Sequence, residues 1–390
     1  MAKSDKPIPY GRQSISQADI DAVSSVLKSD FLTQGPAVPQ FEKAIAERVG
    51  AAYAVASNSA TSSLHLACLA LGVGAGDLVW TTPITFVASA NCARYCGADV
   101  DFVDIDPVSY NISVDRLREK LELAVKLGSV PKVVVVVHLA GHPADMAAIR
   151  ELGRHFGFSI IEDASHAIGG NYRTAKIGSC AYSDITVFSF HPVKIITTGE
   201  GGVAVTNDPK LARKMALLNS HGITREPSEL QGESAGPWYY EQLELGFNYR
   251  MTDIQAALGL SQLSRLEEFL DRRHVLARRY DEALTDLPLI LPWRDERDYS
   301  GFHLYIVRLK GDLKHRHRAI FERLRRNGIL VNLHYIPVYR QPDYQLLGYD
   351  LADYPHAEDY YASAITIPLH PALTEEEQNR VVMELGEATR

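Results

Sequence analysis

Residues 132–165 read KVVVVVHLAGHPADMAAIRELGRHFGFSIIEDAS. Both ends are apolar on consecutive positions, and a helix-length segment, DMAAIRELGRHFG, lies between them. An unbroken β-branched run, rather than an alternating one, is expected of a strand buried on both faces. Strand, helix and strand in that order build a parallel sheet covered by helices.

The same alternation extends outward from about residue 53 to 206. The further runs are YAVAS, LVWTTPIT, VDFVDID, ITVFSF and GGVAVTN, with TSSLHLACLALG and SVDRLREKLELAVKLG among the helical segments. The expected fold is α/β, a mostly parallel seven-stranded sheet with helices on both faces. Only a loop, SFHPVKIITTGEGG (189–202), joins the last two strands, so that pair is expected to be antiparallel. From Thr252 the texture becomes a long amphipathic helical pattern, TDIQAALGLSQLSRLEEFLDRRHVLARRYDEAL. HLYIVRL, HRAIFERLRRNG and ILVNLHYIP then suggest a smaller α+β region. The expected division is a large domain over 1–255, including an N-terminal segment, and a small domain over 256–390 entered by one bridging helix.

A chain of 390 residues, 46% hydrophobic and 23% charged, has the balance of a soluble globular protein. No apolar run approaches the roughly 20 residues that span a bilayer. In MAKSDKPIPYGRQ no apolar segment follows the basic residues, so no signal peptide is expected and the cytoplasm is the expected compartment. The net charge of −8 argues against general nucleic-acid or membrane binding. Cys68, Cys92, Cys96 and Cys180 fit a reduced compartment. The i, i+4 pair Cys92 and Cys96 has no zinc-finger-like partner pair, so packing is expected and no metal site. His138 and His142 are expected to order a loop, and RRHVLARR to be a solvated helix face. Trp238, Tyr239 and Tyr240 are expected to shape a segment near the active site.

Chemistry concentrates at the C-terminal ends of the strands, where open α/β sheets bind ligands. In SNSATSS (57–63) small hydroxyl residues lead into a helix, an anion cradle or an ordinary N-cap. Phe86, in TTPITFVAS, follows a strand and could cover a flat ligand or belong to the core. IIEDASHA ends a strand on Asp163, with His166 just beyond; a buried carboxylate there needs a partner. Lys194 lies 31 residues after Asp163 among Pro192, Val193, Ile195 and Ile196, where a lysine is costly unless paired or reactive. Together the four meet the needs of pyridoxal 5′-phosphate. The phosphate takes the cradle, the ring takes a cover and an anion for its nitrogen, and the aldehyde takes a lysine. A nicotinamide site would need G-x-G-x-x-G after the first strand, and none is present.

With these residues in place the chain resembles the DegT/DnrJ/EryC1/StrS sugar aminotransferases, which have the aspartate-aminotransferase fold (fold type I). The likeness runs through FLTQGPAVPQFE, SNSATSSLHLA, TPITFVASANC, DIDPVSYNI, IIEDASHAIGG, SFHPVKIITTGEGG, NSHGITR and GFNYRMTDIQAALGLSQL. PYGRQSI, SDFLTQGP and NLHYIPVYRQPDY are similar to the branch acting on C4 of UDP-sugars in pseudaminic acid biosynthesis. The resemblance implies that Lys194 binds the cofactor covalently and that Asp163 partners the pyridine nitrogen. It implies His166 near the phenolic oxygen, where many family members have glutamine, and Phe86 stacked on the ring. Ala60, Thr61 and Ser189 would hold the phosphate, with Asn248 reaching the neighbouring subunit's phosphate region in a homodimer. Tyr10, Asp30, Phe31, Leu32, Thr33, Asn332, Leu333, His334 and Tyr335 would contact the nucleotide-sugar, some from the partner subunit. The implied reaction moves an amino group from L-glutamate to a UDP-linked 4-ketosugar. A dTDP-linked ketosugar or UDP-4-keto-arabinose is the alternative acceptor. A dehydratase of the same family would carry histidine in place of Lys194. A cofactor-binding regulator finds no support in any basic stripe.

Overall fold

The computed structural model describes residues 6–390, so the first five residues of the N-terminal stretch lie outside it. Its centre is a seven-stranded sheet: β1 (Tyr53–Ser57), β2 (Leu78–Thr81), β3 (Asp99–Phe102), β4 (Val133–Val137), β5 (Ser159–Asp163), β6 (Ile185–Ser189) and β7 (Gly202–Thr206). In space they run β1-β7-β6-β5-β4-β2-β3. β7 is antiparallel to both neighbours, and the other pairings are parallel.

Helices α1 (Gln17–Leu27) and α2 (Ala37–Val49) precede the sheet. Consecutive apolar residues in β4 and β5 serve two faces. Val133, Val135 and Ile161 pack with Leu64, Leu66 and Cys92 of α3 (Ala60–Ala70) and α4 (Ala88–Tyr95). Val134, Val136 and Ile160 pack with Leu117 and Leu121 of α5 (Val114–Leu127) and Ile149 of α6 (Met146–Phe156). A separate core gathers Tyr305 and Val307 of the strand Tyr305–Leu309, Ile365 and Ile367 of Ala364–Ile367, and Leu276 and Tyr280. Ile8 joins this second core and pairs in parallel with Ile329. Among the described residues no helix is long and apolar enough to cross a membrane.

The pattern beginning at Thr252 is two helices, Asp253–Leu263 and Leu266–Leu284, rather than one bridging helix. Arg265 leaves helical geometry at φ −105°, ψ 8°, and Ser264 Oγ turns back to Ser261 O at 2.7 Å. The first helix is tied at its end to buried Asp19, which accepts from Ser261 Oγ and Gln262 Nε2 at 2.6 and 2.8 Å. The second leaves toward the other core. Amphipathic periodicity continues across the break because both helices bury an apolar face: Ala256 of the first and Leu266, Phe269 and Leu270 of the second share one core, and the second runs on to Leu276 and Tyr280 in the other.

Candidate active site

Lys194 stands in a loop clamped at both ends by the sheet. Phe190 N donates to Gly201 O and Thr198 N to Phe190 O, at 2.9 and 3.0 Å. Phe190, Ile195 and Ile196 are buried with Phe41 of the helix Ala37–Val49. The apolar flanks therefore anchor the loop, while Lys194 lines the cavity at the sheet edge. Gly202 is required at the start of β7: a Cβ there would lie 2.5 Å from Ala60 N. That close approach holds the N-terminus of α3 beside the loop.

The cavity measures about 890 Å³. Tyr10, Ala60, Thr61, Phe86, Asp163, His166, Ser189, Lys194, Asn332, Leu333, His334 and Tyr335 all line it. Burial pushes the Lys194 ammonium down to about 8, with Asp163 opposing the shift. No arginine or second lysine lines the cavity among the described residues. Asp163 Oδ2 accepts from Ser89 Oγ at 2.6 Å and Oδ1 from Ser165 N at 3.2 Å. At the start of α3, Ser59 Oγ caps Ser62 N, while the N–H groups of Ala60 and Thr61 have no hydrogen-bond partner among the described residues. Such a helix start favours an anion. Phe86 is 58% exposed, with its ring centroid 6.3 Å from that of Tyr335.

His166 is buried and its ring is held at both nitrogens. Ala140 N donates to Nδ1 at 3.3 Å, and Nε2 lies 3.1 Å from Tyr335 Oη. Burial, with Lys194 and His334 nearby, drives its pKa well below the usual value. The neutral ring accepting at Nδ1 carries its proton on Nε2 and donates it to Tyr335. Tyr335's own hydroxyl proton is then free for a ligand.

Asp30, Phe31, Leu32, Thr33 and Asn248 do not line this cavity, and all five are exposed. His303 and Glu200 line it although the sequence reading passed over them. The His303 ring lies 4.6 Å from that of His166. His191 lies at the same wall, its Nε2 3.9 Å from Glu200 Oε1. The spacing of Thr85 and Ser89, i, i+4 beside Phe86, was the available signal for Ser89. His138 Nδ1 accepts from Ala144 N at 3.1 Å, so this histidine does order its loop.

A lysine with a lowered pKa, a buried carboxylate accepting from two donors, and an anion-ready helix start define a pyridoxal 5′-phosphate site of fold type I. The unpartnered N–H groups of Ala60 and Thr61 beside Ser189 fit a phosphate, and the exposed Phe86 ring fits a flat cofactor. The sequence profile of the DegT/DnrJ/EryC1/StrS aminotransferase family matches residues 13–386, and the chain belongs to that family. It is a pyridoxal phosphate-dependent aminotransferase.

Among its relatives is the UDP-4-amino-4,6-dideoxy-N-acetyl-beta-L-altrosamine transaminase of Campylobacter jejuni, 38% identical over 93% of this chain and 92% of the relative. Among solved structures, Helicobacter pylori PseC, an aminotransferase involved in the biosynthesis of pseudoaminic acid, superposes with a TM-score of 0.89. It is 32% identical, over 98% of this chain and 99% of PseC. The putative sugar aminotransferase Spr1654 of Streptococcus pneumoniae, in its PMP form, gives 0.90 at 30% identity, over 98% and 99% of the two chains.

Proposed function

We propose that the chain moves an amino group from L-glutamate to C4 of a UDP-linked 4-keto-6-deoxy-N-acetylhexosamine. The product would be UDP-4-amino-4,6-dideoxy-N-acetyl-β-L-altrosamine, on the way to pseudaminic acid. The observation that carries the reading is one cavity holding Lys194, lowered to about 8, and Asp163, walled by Tyr10 and residues 332–335. Identity to the Campylobacter transaminase over nearly the whole chain supports this acceptor.

When bound, pyridoxal phosphate supplies an aldehyde for the amino group and a ring that draws electrons from the donor's Cα. Ala60, Thr61 and Ser189 hold the phosphate, and Phe86 covers the ring. Asp163 keeps a proton on the ring nitrogen. Near neutral pH an appreciable fraction of Lys194 is uncharged, as a general base needs. Lys194 Nζ takes the Cα proton of glutamate in the first half-reaction and delivers a proton to sugar C4 in the second. Tyr335, accepting from His166, directs its own hydroxyl proton to an oxygen of the ligand. Residues 30–33 and Asn248, all exposed, serve the site across a homodimer in the cytoplasm.

The test is NMR analysis of the product formed with glutamate from a panel of 4-ketosugars. Preferred turnover of the UDP-4-keto-6-deoxy-N-acetylhexosamine, with the β-L-altro configuration at C4, supports the reading. Preferred turnover of a dTDP-linked ketosugar or UDP-4-keto-arabinose, or the epimeric amine, overturns it.

A further inference from the structure

The carboxylate of Asp163 is the end of a directed hydrogen-bond chain. Ser89 Oγ lies 2.6 Å from Asp163 Oδ2, and Thr85 Oγ1 lies 2.7 Å from Ser89 Oγ. Ser89 Oγ donates to Asp163 Oδ2, and a serine has one hydroxyl proton. The Ser89 proton therefore goes to Asp163, and Ser89 Oγ must accept from Thr85. The order is fixed: Thr85 donates to Ser89, and Ser89 donates to Asp163. Ser89, at the centre of this chain, is fully buried and does not line the cavity, so water does not compete for its oxygen and each bond polarises the next.

Burial by itself favours the neutral acid of an aspartate, whereas a bond donated to the carboxylate favours its charged form. This matters at a site where a proton is shared between a ring nitrogen and a carboxylate. A proton that moved to Asp163 would leave the ring neutral and weaken it as an electron acceptor.

We propose that Ser89 is a positioning residue for transamination: its bond to Asp163, oriented by Thr85, keeps the shared proton on the cofactor's ring nitrogen. The inference rests on the reading that Asp163 meets that nitrogen. Ser165 N–H remains on Oδ1 when Ser89 is removed, so loss of Ser89 weakens the arrangement without abolishing it.

The experiment compares the holoenzyme forms of Ser89→Ala, Ser89→Thr, Thr85→Val and Asp163→Asn. The readouts are kcat, KM for glutamate, thermal stability, and the pH midpoint of the bound cofactor's visible absorbance. That midpoint reports the proton on the lysine–cofactor linkage, which a less cationic ring holds more tightly. Ser89→Ala is expected to lower kcat about tenfold or more, the scale of one hydrogen bond to a charged group. KM should change by less than about twofold, and the midpoint should rise by about half a pH unit. Ser89→Thr restores the hydroxyl and should return both quantities toward the wild type. Thr85→Val should move them the same way by a smaller amount. Ser89→Cys, a weaker donor of similar size, carries the test if the alanine variant does not fold.

Unchanged kcat and midpoint in Ser89→Ala, beside a large loss in Asp163→Asn, would overturn the role of Ser89 even if thermal stability falls. Wild-type activity and absorbance in Asp163→Asn would instead remove the reading beneath it.

Discussion

Glu162 and Asp163 are consecutive carboxylates on one strand, and the pleat sends them to opposite faces of the sheet. Both are nearly inaccessible, at 5% and 6% exposure. Glu162 is enclosed, accepting from His138 Nε2 at 2.7 Å, from Thr186 Oγ1 at 3.0 Å and from Ser183 Oγ. Burial raises its pKa, but these donors, His138 first, outweigh burial and hold the carboxyl below its usual range. Neither Glu162 nor these three donors line the cavity, whereas Asp163 does. Burial and donated hydrogen bonds are therefore common to both carboxylates. What separates them is acceptor capacity facing a space large enough for a ligand.

The comparison can be broken in several ways. The largest effect is expected at the amine opposite Asp163. Lys194→Ala should retain cofactor without a covalent link and lose about a thousandfold or more in transamination, measured by single-turnover absorbance. Next come the two carboxylates themselves. Asp163→Asn should lower kcat by about a hundredfold or more while leaving the unfolding midpoint nearly unchanged. Glu162→Gln should do the reverse, destabilising by about 2 kcal/mol because one acceptor oxygen becomes an NH2 group facing buried donors, with kcat of the folded enzyme nearly intact. Denaturant unfolding and steady-state kinetics on the same preparations decide between them, and interchanged effects would end the distinction drawn here.

The legible part of this molecule was the part dictated by local pattern. β4 and β5 announce themselves because each buries both faces, and Asp163 because it ends such a strand. Lys194 was legible through its apolar neighbours, which prove to be anchors of the loop. Ser89 was less visible: its role depends on a strand 74 residues away, and a serine in a helix has many uses. His303 and Glu200 reach the cavity through chain folding that leaves no local periodicity. The break at Ser264–Arg265 was hidden because the apolar stripe continues through it. Residues 30–33 and Asn248 came from resemblance alone, and within one chain they stand apart from the cavity.

Two smaller effects sharpen the account through pH. The rate of covalent cofactor capture by the apoenzyme should rise about tenfold per pH unit below about 8 and level off above it, because only the uncharged Lys194 amine reacts. Stopped-flow absorbance measures it, and a rise continuing to pH 10 would contradict the lowered value. The smallest effect is at Glu42, which accepts from Ala56 N at 2.8 Å. Burial pushes its carboxyl from 4.5 up to about 7, opposed by that bond. The folded protein keeps a proton that the unfolded chain releases, so this site loses stability as pH rises from about 4.5 to about 7. Glu42→Gln should gain on the wild type by a few degrees in Tm between pH 5 and pH 8, as followed by calorimetry.

The central claim is that the loop 189–202 presents one reactive amine, Lys194, to the cofactor. Borohydride reduction of the holoenzyme, followed by digestion and mass spectrometry, tests it most directly. The account predicts a phosphopyridoxyl group on the peptide containing Lys194 and on no other lysine. A fully labelled protein with the group on any other residue would contradict it.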